Sequence, residues 1–302
     1  MSPPPLRALR HGGLTTAVVL VVLLVLAVVN VATVLRAGDA LAPLTARAAA
    51  TISSTEAGTA AVRFTDAGGR ARTADVPVDS TPATPTTVAY DPADPTRAAL
   101  PESPAVTSGD RATTGLAVLA LLALLVVGVG VQRVVSRGRL RATPPHLVRV
   151  RRVRQQHRLL SRSWIELVGA VPVQRFPVYF DPVLVTLDSP AEVAVHGRGP
   201  LRALRVDGRW IYPSGRVRTA EPPGQLLDNP SHPDEGAHER AARSAPLRRQ
   251  LLVDGVLLAP APFVGIFWVL LDGGGILVWL AATLVTGALA LWGAAVQGSD
   301  PS

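Results

Sequence analysis

The chain has 302 residues, 48% of them hydrophobic, with the apolar residues gathered into long runs and the charges lying elsewhere, a distribution that points to an integral membrane protein. Its formal net charge of +8 comes from 30 arginines and no lysine, and it contains no cysteine. Disulfides, thiolate metal sites, thiol nucleophiles and lysine Schiff-base or phosphate-loop chemistry are therefore excluded.

The positive balance is uneven. Residues 132–250 hold 21 Arg against 10 Asp and Glu, a balance of +11, whereas residues 37–114 hold 6 against 9, a balance of −3. The positive-inside rule then places the first region in the cytoplasm and the second outside.

In chain order, residues 1–13 carry Arg7 and Arg10 and read as a cytoplasmic tail. Residues 14–35 contain no charge; as a helix they extend about 33 Å, enough to cross a bilayer. The run is longer than the apolar core of roughly 7 to 15 residues in a secretory signal, which predicts an uncleaved signal anchor. Small residues between positions 40 and 50 leave cleavage open as the alternative. Asn30 is expected at the interface or in helix pairing.

Residues 36–114 are expected to form an extracytoplasmic β-rich domain. Strands at 60–64 and 72–78 flank TDAGGR, where Gly68 and Gly69 would supply the positive φ of a tight turn. A third strand at 86–90 closes on DPADP. Proline after Asp91 ends the strand, Asp91 caps the turn and Tyr90 packs across the sheet. The competing reading makes Tyr90, Asp91 and Asp94 a cation or glycan site. Residues 101–111 read as a tether.

A spanning helix, a hairpin carrying Val62, Arg63, Phe64, Asp66 and Gly69, a motif of Val88, Tyr90, Asp91, Pro92, Pro95, Ala98 and Leu100, and a second helix follow one another over residues 14–136. This arrangement resembles the bacterial domain-of-unknown-function 3592 family. In place of the glycine-containing turn usual before the last strand, the chain has TPATPTT. The resemblance implies a membrane location and no particular activity.

The second span covers 115–131 and can extend to 136, with Gly128 and Gly130 expected as close helix-packing points. The basic juxtamembrane segment 132–162 follows, with 10 of the 21 arginines. A partial stripe of Leu147, Val150, Val153 and Leu160 predicts a surface helix. Arg149, Arg151, Arg152 and Arg154 are its candidate contacts to the anionic head groups of the bilayer, at about 1 kcal/mol for each basic residue. Nucleic acid is not an expected partner, because the segment carries neither a recognisable module nor interleaved aromatics.

From residue 163 to 219 a period-two pattern predicts a cytoplasmic all-β domain, a barrel or sandwich of five or six short strands, with turns at Asp207-Gly208 and Ser214-Gly215. Trp164, Phe176, Tyr179, Phe180, Trp210 and Tyr212 are expected to supply most of its core, an aromatic-lined groove being the alternative. His196 is expected in a solvated turn.

Residues 220–250 read as a linker with a short helix capped by Asp234. Its His232, Asp234, Glu235, His238 and Glu239 match no metal-ligand spacing. Spans at 251–271 and 276–296 enclose an outer turn at 272–275, and 297–302 form a cytoplasmic tail. Trp268 and Trp279 fall toward the outer interface and Trp292 toward the inner one. Asp254 is the candidate functional acid inside a span, in competition with a carboxylate that reaches water or Arg248 and Arg249. Pro260 and Pro262 should kink the third span. Gly255-Ala259, Ala261-Gly265 and Ala290-Ala294 are small pairs suited to helix contact.

The sequence thus predicts an integral membrane α-helical protein with four spanning helices, a small extracytoplasmic β-unit and a small cytoplasmic all-β domain. No catalytic residue, cofactor or metal site is expected. The reading is a non-catalytic scaffold or interaction protein of the cell envelope, in a bacterial plasma membrane with both termini cytoplasmic, engaging an unknown protein partner or a second copy of itself. The alternative is an accessory subunit of a transporter or channel.

Overall fold

The computed structural model describes residues 7–272 and 274–302; residues 1–6 of the expected tail and Gly273 of the expected outer turn lie outside them. Among the described residues, four helical segments are long and apolar enough to cross a membrane: Arg7–Leu41, Pro104–Ala142, Leu247–Asp272 and Gly275–Gln297. Leu24, Val28, Leu124, Phe267 and Leu277 are each more than half exposed on them, as lipid-facing side chains would be. The first helix, α1 (Arg7–Leu41), runs past its apolar stretch until Pro43 forbids continuation. Contacts divide the chain into two compact units, Leu23–Leu124 and Met1–Val22 with Leu125–Ser302.

In the Leu23–Leu124 unit, β1 (Ala46–Glu56), β2 (Thr59–Thr65), β3 (Ala71–Pro77), β4 (Thr86–Tyr90) and β5 (Ala98–Ala99) form an antiparallel sheet in the order β3-β2-β1-β4-β5. The central strand β1 is absent from the sequence reading. ARAAATISSTE has no strong apolar alternation, and it becomes a strand because β2 and β4 pair with its two edges. Ala57 and Gly58 turn β1 into β2 with φ of 46° and 79°, the left-handed pair that a two-residue hairpin loop requires. In the next hairpin Gly69 is left-handed at φ 77°, and Gly68 instead donates to Asp66 Oδ1 at 2.9 Å; the expectation of positive φ at both glycines is corrected to one.

Alternation buries Ala60, Val62 and Phe64 on β2, with Val76, Val88, Tyr90 and Leu100 opposite. Tyr90 packs its ring 4.9 Å from Phe64, and its hydroxyl accepts from Ala67 N at 2.8 Å. Asp91 caps its turn by accepting from Ala93 N. Both residues serve the turn and the sheet. The expected tether is largely helical, since α2 spans Pro104–Gly138, and Pro at the first helical position suits that start. Asn30 lies against α2 at Gly115, where an added Cβ would stand 2.8 Å from Asn30 Oδ1, so it pairs helices.

In the second unit a 3-10 turn at Arg139–Ala142 leads into β6 (Pro145–His157), β7 (Leu160–Leu167), β8 (Gln174–Val178), β9 (Ala191–His196), β10 (Ala203–Val206), β11 (Arg209–Ile211) and β12 (Gln225–Asp228). They form one seven-stranded sheet in the order β11-β10-β9-β6-β7-β8, with β12 also on β6. Isolated bridges from Val178 to Pro213 and from Arg175 to Arg218 link β8 to the segment that follows β11.

Two boundaries are corrected here. The predicted surface helix is β6, because β7, β9 and β12 all pair with this strand. The expected linker holds β12 before α3 (Glu235–Ser244), which Asp234 does cap by accepting from Ala237 N at 2.7 Å.

The main core of this sheet is aliphatic, with Val150, Ile165, Leu184, Val195 and Leu204 around Phe176. Of the aromatics expected there, Tyr212 packs with Leu140 and Ala203 in a separate cluster that Tyr179 and Trp210 flank. His196 is not solvated: it is 6% exposed, its Nδ1 lies 2.8 Å from Thr143 O, and Trp210 covers its ring at 4.4 Å.

The third apolar segment is broken as expected. It comprises α4 (Leu247–Asp254), a 3-10 turn at Gly255–Leu258 and α5 (Ala261–Asp272), because Pro260 and Pro262 cannot donate to the preceding turn. The last helix, α6 (Gly275–Gln297), packs on α5 where Gly265 meets Trp279 and Thr283. Gly128 and Gly130 have nothing within 4 Å of an added Cβ and are not packing points.

Candidate functional site

Asp254 was expected to reach water or Arg248 and Arg249. Instead it is 2% exposed, because α4 ends there and α1 and the end of α6 close over it. Its Oδ2 accepts from Ser299 Oγ at 3.0 Å. His11 Nε2 stands 3.0 Å from the same oxygen, within ion-pair range but without the alignment of a hydrogen bond.

Gln250, one helical turn earlier, donates to Ser299 O at 2.8 Å and accepts from Arg7 Nε at 3.1 Å. Each polar group sealed at this depth would be costly unpaired, and together they tie α1, α4 and the end of α6. Ser299 donates to Asp254 and not to His11, so the order differs from that of a hydroxyl activated by an imidazole base.

Beyond Ser299 the chain continues onto the seven-stranded sheet. Gly298 takes φ 77° and ends α6, where an added Cβ would stand 3.0 Å from Val178 O and closer still to Ser214. Asp300 N then donates to Ser161 O at 2.8 Å. The Asp300 carboxylate is 1% exposed and accepts from Arg152 Nη2 at 2.7 Å and Ser163 Oγ at 2.6 Å. Ser302 N donates to its other oxygen at 2.9 Å. Burial pushes this carboxyl up, but Arg152 and the hydrogen bonds from Ser163 and Ser302 outweigh it and hold it below its ordinary value of 3.8.

Arg152 also donates to Asn229 Oδ1 at 3.2 Å, and Asn229 in turn donates to Leu184 O and Leu187 O. Residues 299–302, expected only as a tail, are therefore fastened into the domain.

These contacts correct the expectation that Arg149, Arg151, Arg152 and Arg154 form one lipid-facing set. They lie on a strand, where neighbours point to opposite faces. Arg152 is buried in the pair with Asp300, and Arg151 pairs with Glu166 at 2.7 Å and Asp228 at 3.3 Å. Arg154 is half-buried and Arg149 exposed. Glu166 is held from its other side by Arg175 at 2.7 Å.

A second feature of the same unit is a cleft of about 750 Å³ between α1, the end of α2 and the end of α6. Its walls are apolar, with Leu9, Val127, Val131, Val134 and Val296. Arg133, Arg137 and Arg141 line it too; the first two, four residues apart on α2, share a helical face, and Arg141 follows on the 3-10 turn. Among the described residues none of the three lies within 4.0 Å of a carboxylate.

Tyrosines and carbonyl oxygens orient these arginines. Arg133 Nη1 donates to Tyr179 Oη at 2.8 Å, Arg137 Nε to Pro213 O at 2.7 Å, and Arg141 Nε to Tyr212 Oη. Burial, then Arg218 and Arg133, pulls the neighbouring Arg162 down to about 10, which leaves it charged at neutral pH.

His11, Gln250, Ser299, Asp300 and the cleft arginines were not singled out from sequence. The arginines lay inside the basic segment 132–162, but the tail pattern Ser-Asp-Pro-Ser carries no signal that its acid would be buried. Comparison with protein-family models, with curated proteins and with solved structures finds no match to this chain.

Proposed function

We propose that the chain is a non-catalytic, multi-pass scaffold or interaction protein of the bacterial cell envelope, with residues 14–136 akin to the 3592 family. The observation that supports it most is the use made of the polar groups. Asp254, His11, Gln250 and Ser299 fasten helix ends to one another, and Asp300 fastens the last helix to the seven-stranded sheet through Arg152. A sheet held this way at a membrane surface presents Arg149 and the exposed β7–β8 hairpin tip at Val171 to a partner protein or a second copy.

In this reading the arginine-rich half faces the cytoplasm of a plasma-membrane protein and the acidic half the outside, as the charge asymmetry favours. The transporter-subunit alternative draws on one observation, the acid–imidazole contact between Asp254 and His11. The two are separated by Asp254→Asn, which keeps an acceptor for Ser299: a scaffold retains expression and phenotype, whereas a transport subunit loses an ion flux while still folding.

A photo-crosslinker at Val171 or Arg149, activated in intact membranes, is expected to trap one specific protein, this chain or another. Recovery of lipid adducts alone from both positions would overturn the scaffold reading.

A further inference from the structure

The cleft between α1, α2 and α6 lies apart from the contacts around Asp254 and Asp300, and Arg133 Nη1 reaches across it to Val296 O on α6. Its wall along α2 carries Val127, Val131 and Val134, and Gly130 leaves the floor open, with nothing within 4 Å of where its Cβ would be. Arg133, Arg137 and Arg141 line it as well. In the hydrogen bonds among the described residues Arg133 and Arg137 do not use Nη2, and Arg141 uses neither terminal nitrogen.

Three guanidinium groups held by tyrosines and carbonyls, with no carboxylate beside them, present unmatched charge and free donors. Such groups favour a phosphate, which takes parallel N–H donors on its oxygens. The apolar lining that accompanies that charge, Val127, Val131 and Val134 on α2, suits an acyl chain. A free small anion would leave the valine wall without an occupant, and an apolar protein segment would leave the guanidinium groups unneutralised.

We propose that this cleft is a binding site for one anionic phospholipid, its phosphate on Arg133, Arg137 and Arg141 and an acyl chain along the valine face of α2. The inference rests on membrane placement but not on the scaffold reading, since it requires no protein partner. Trp292 lines the same cleft and supplies the probe. Arg141 is exposed, so Arg141→Gln removes a charge without unpacking the fold. Gly130→Leu adds a side chain into open space.

The full chain in detergent is titrated with phosphatidylglycerol brominated on its acyl chains, with brominated phosphatidylcholine alongside, and fluorescence quenching is read against a Trp292→Phe control. Phosphatidylglycerol is expected to quench Trp292 at a concentration at least tenfold lower than phosphatidylcholine. Gly130→Leu and Arg141→Gln should each weaken that quenching about tenfold, with the thermal transition of the protein unchanged.

Equal quenching by the two lipids would overturn the proposal, as would undiminished quenching in Gly130→Leu. Displacement of the brominated lipid by millimolar inorganic phosphate would show a small-anion site and overturn it too. So would an inter-chain crosslink from position 130, which would mark the cleft as an interface between copies.

Discussion

Replacing Asp300 with alanine tests whether the last residues are structural. The carboxylate is fully buried, is bonded by Arg152 at 2.7 Å and Ser163 at 2.6 Å, and its removal leaves Arg152, itself 2% exposed, as an unpaired buried charge. Breaking such a pair from one side costs about 3–5 kcal/mol. The lower end is expected here, because Arg152 keeps its bonds to Ser163 and Asn229. Against a typical total stability of about 5–15 kcal/mol, that is a large fraction.

The assay is urea unfolding of the full chain in detergent, paired with hydrogen exchange of the Asp300 amide that donates to Ser161. Asp300→Ala should lower the midpoint and expose that amide. The double replacement Arg152→Met with Asp300→Leu should recover most of the loss, since an apolar pair of similar volume needs no charge partner. A single-variant loss below about 1 kcal/mol, in the range of an ordinary surface pair, would refute the latch.

The pH dependence has a definite sign. The folded carboxyl titrates below its ordinary 3.8, so its contribution is complete above that value and is lost as pH falls through the lower folded value.

Gly265→Val should destabilise the packing of α5 on α6 by about 1–3 kcal/mol, because even a Cβ would stand 2.9 Å from Trp279 O; the thermal midpoint in detergent measures it. Ala57→Gly should stabilise the β1–β2 hairpin, since an L-residue at φ 46° gives up about 1 kcal/mol that glycine does not. Unfolding of the Ala57→Gly chain with an unchanged or lower midpoint would contradict this. Topology reporters inserted at residues 80 and 200 should report outside and inside respectively, and an inside signal at 80 would reverse the assignment of both halves.

The long apolar helices were legible because about twenty uncharged residues in a row have few fates other than a bilayer or a buried core. The seven-stranded sheet was legible wherever alternation was strong, as at β7, β9 and β10. It was missed at β6, where arginines interrupt the apolar pattern and only the pairing with β7, β9 and β12 decides the conformation. Likewise β1 is a strand by virtue of its neighbours, not of its alanines.

By itself the sequence determined the four apolar segments, the charge asymmetry between the halves, the capped helix at Asp234 and the proline break of the third segment. All of these follow from composition and local backbone chemistry over a few residues. The tertiary structure alone decided that His11 and Ser299 meet Asp254, that Arg152 faces inward to Asp300 while Arg149 remains exposed, and that Arg133, Arg137 and Arg141 line one apolar cleft. The physical reason is separation along the chain: His11 and Asp254, or Arg152 and Asp300, are far apart in sequence, and a polar residue's local pattern is the same whether its partner is water or a distant side chain.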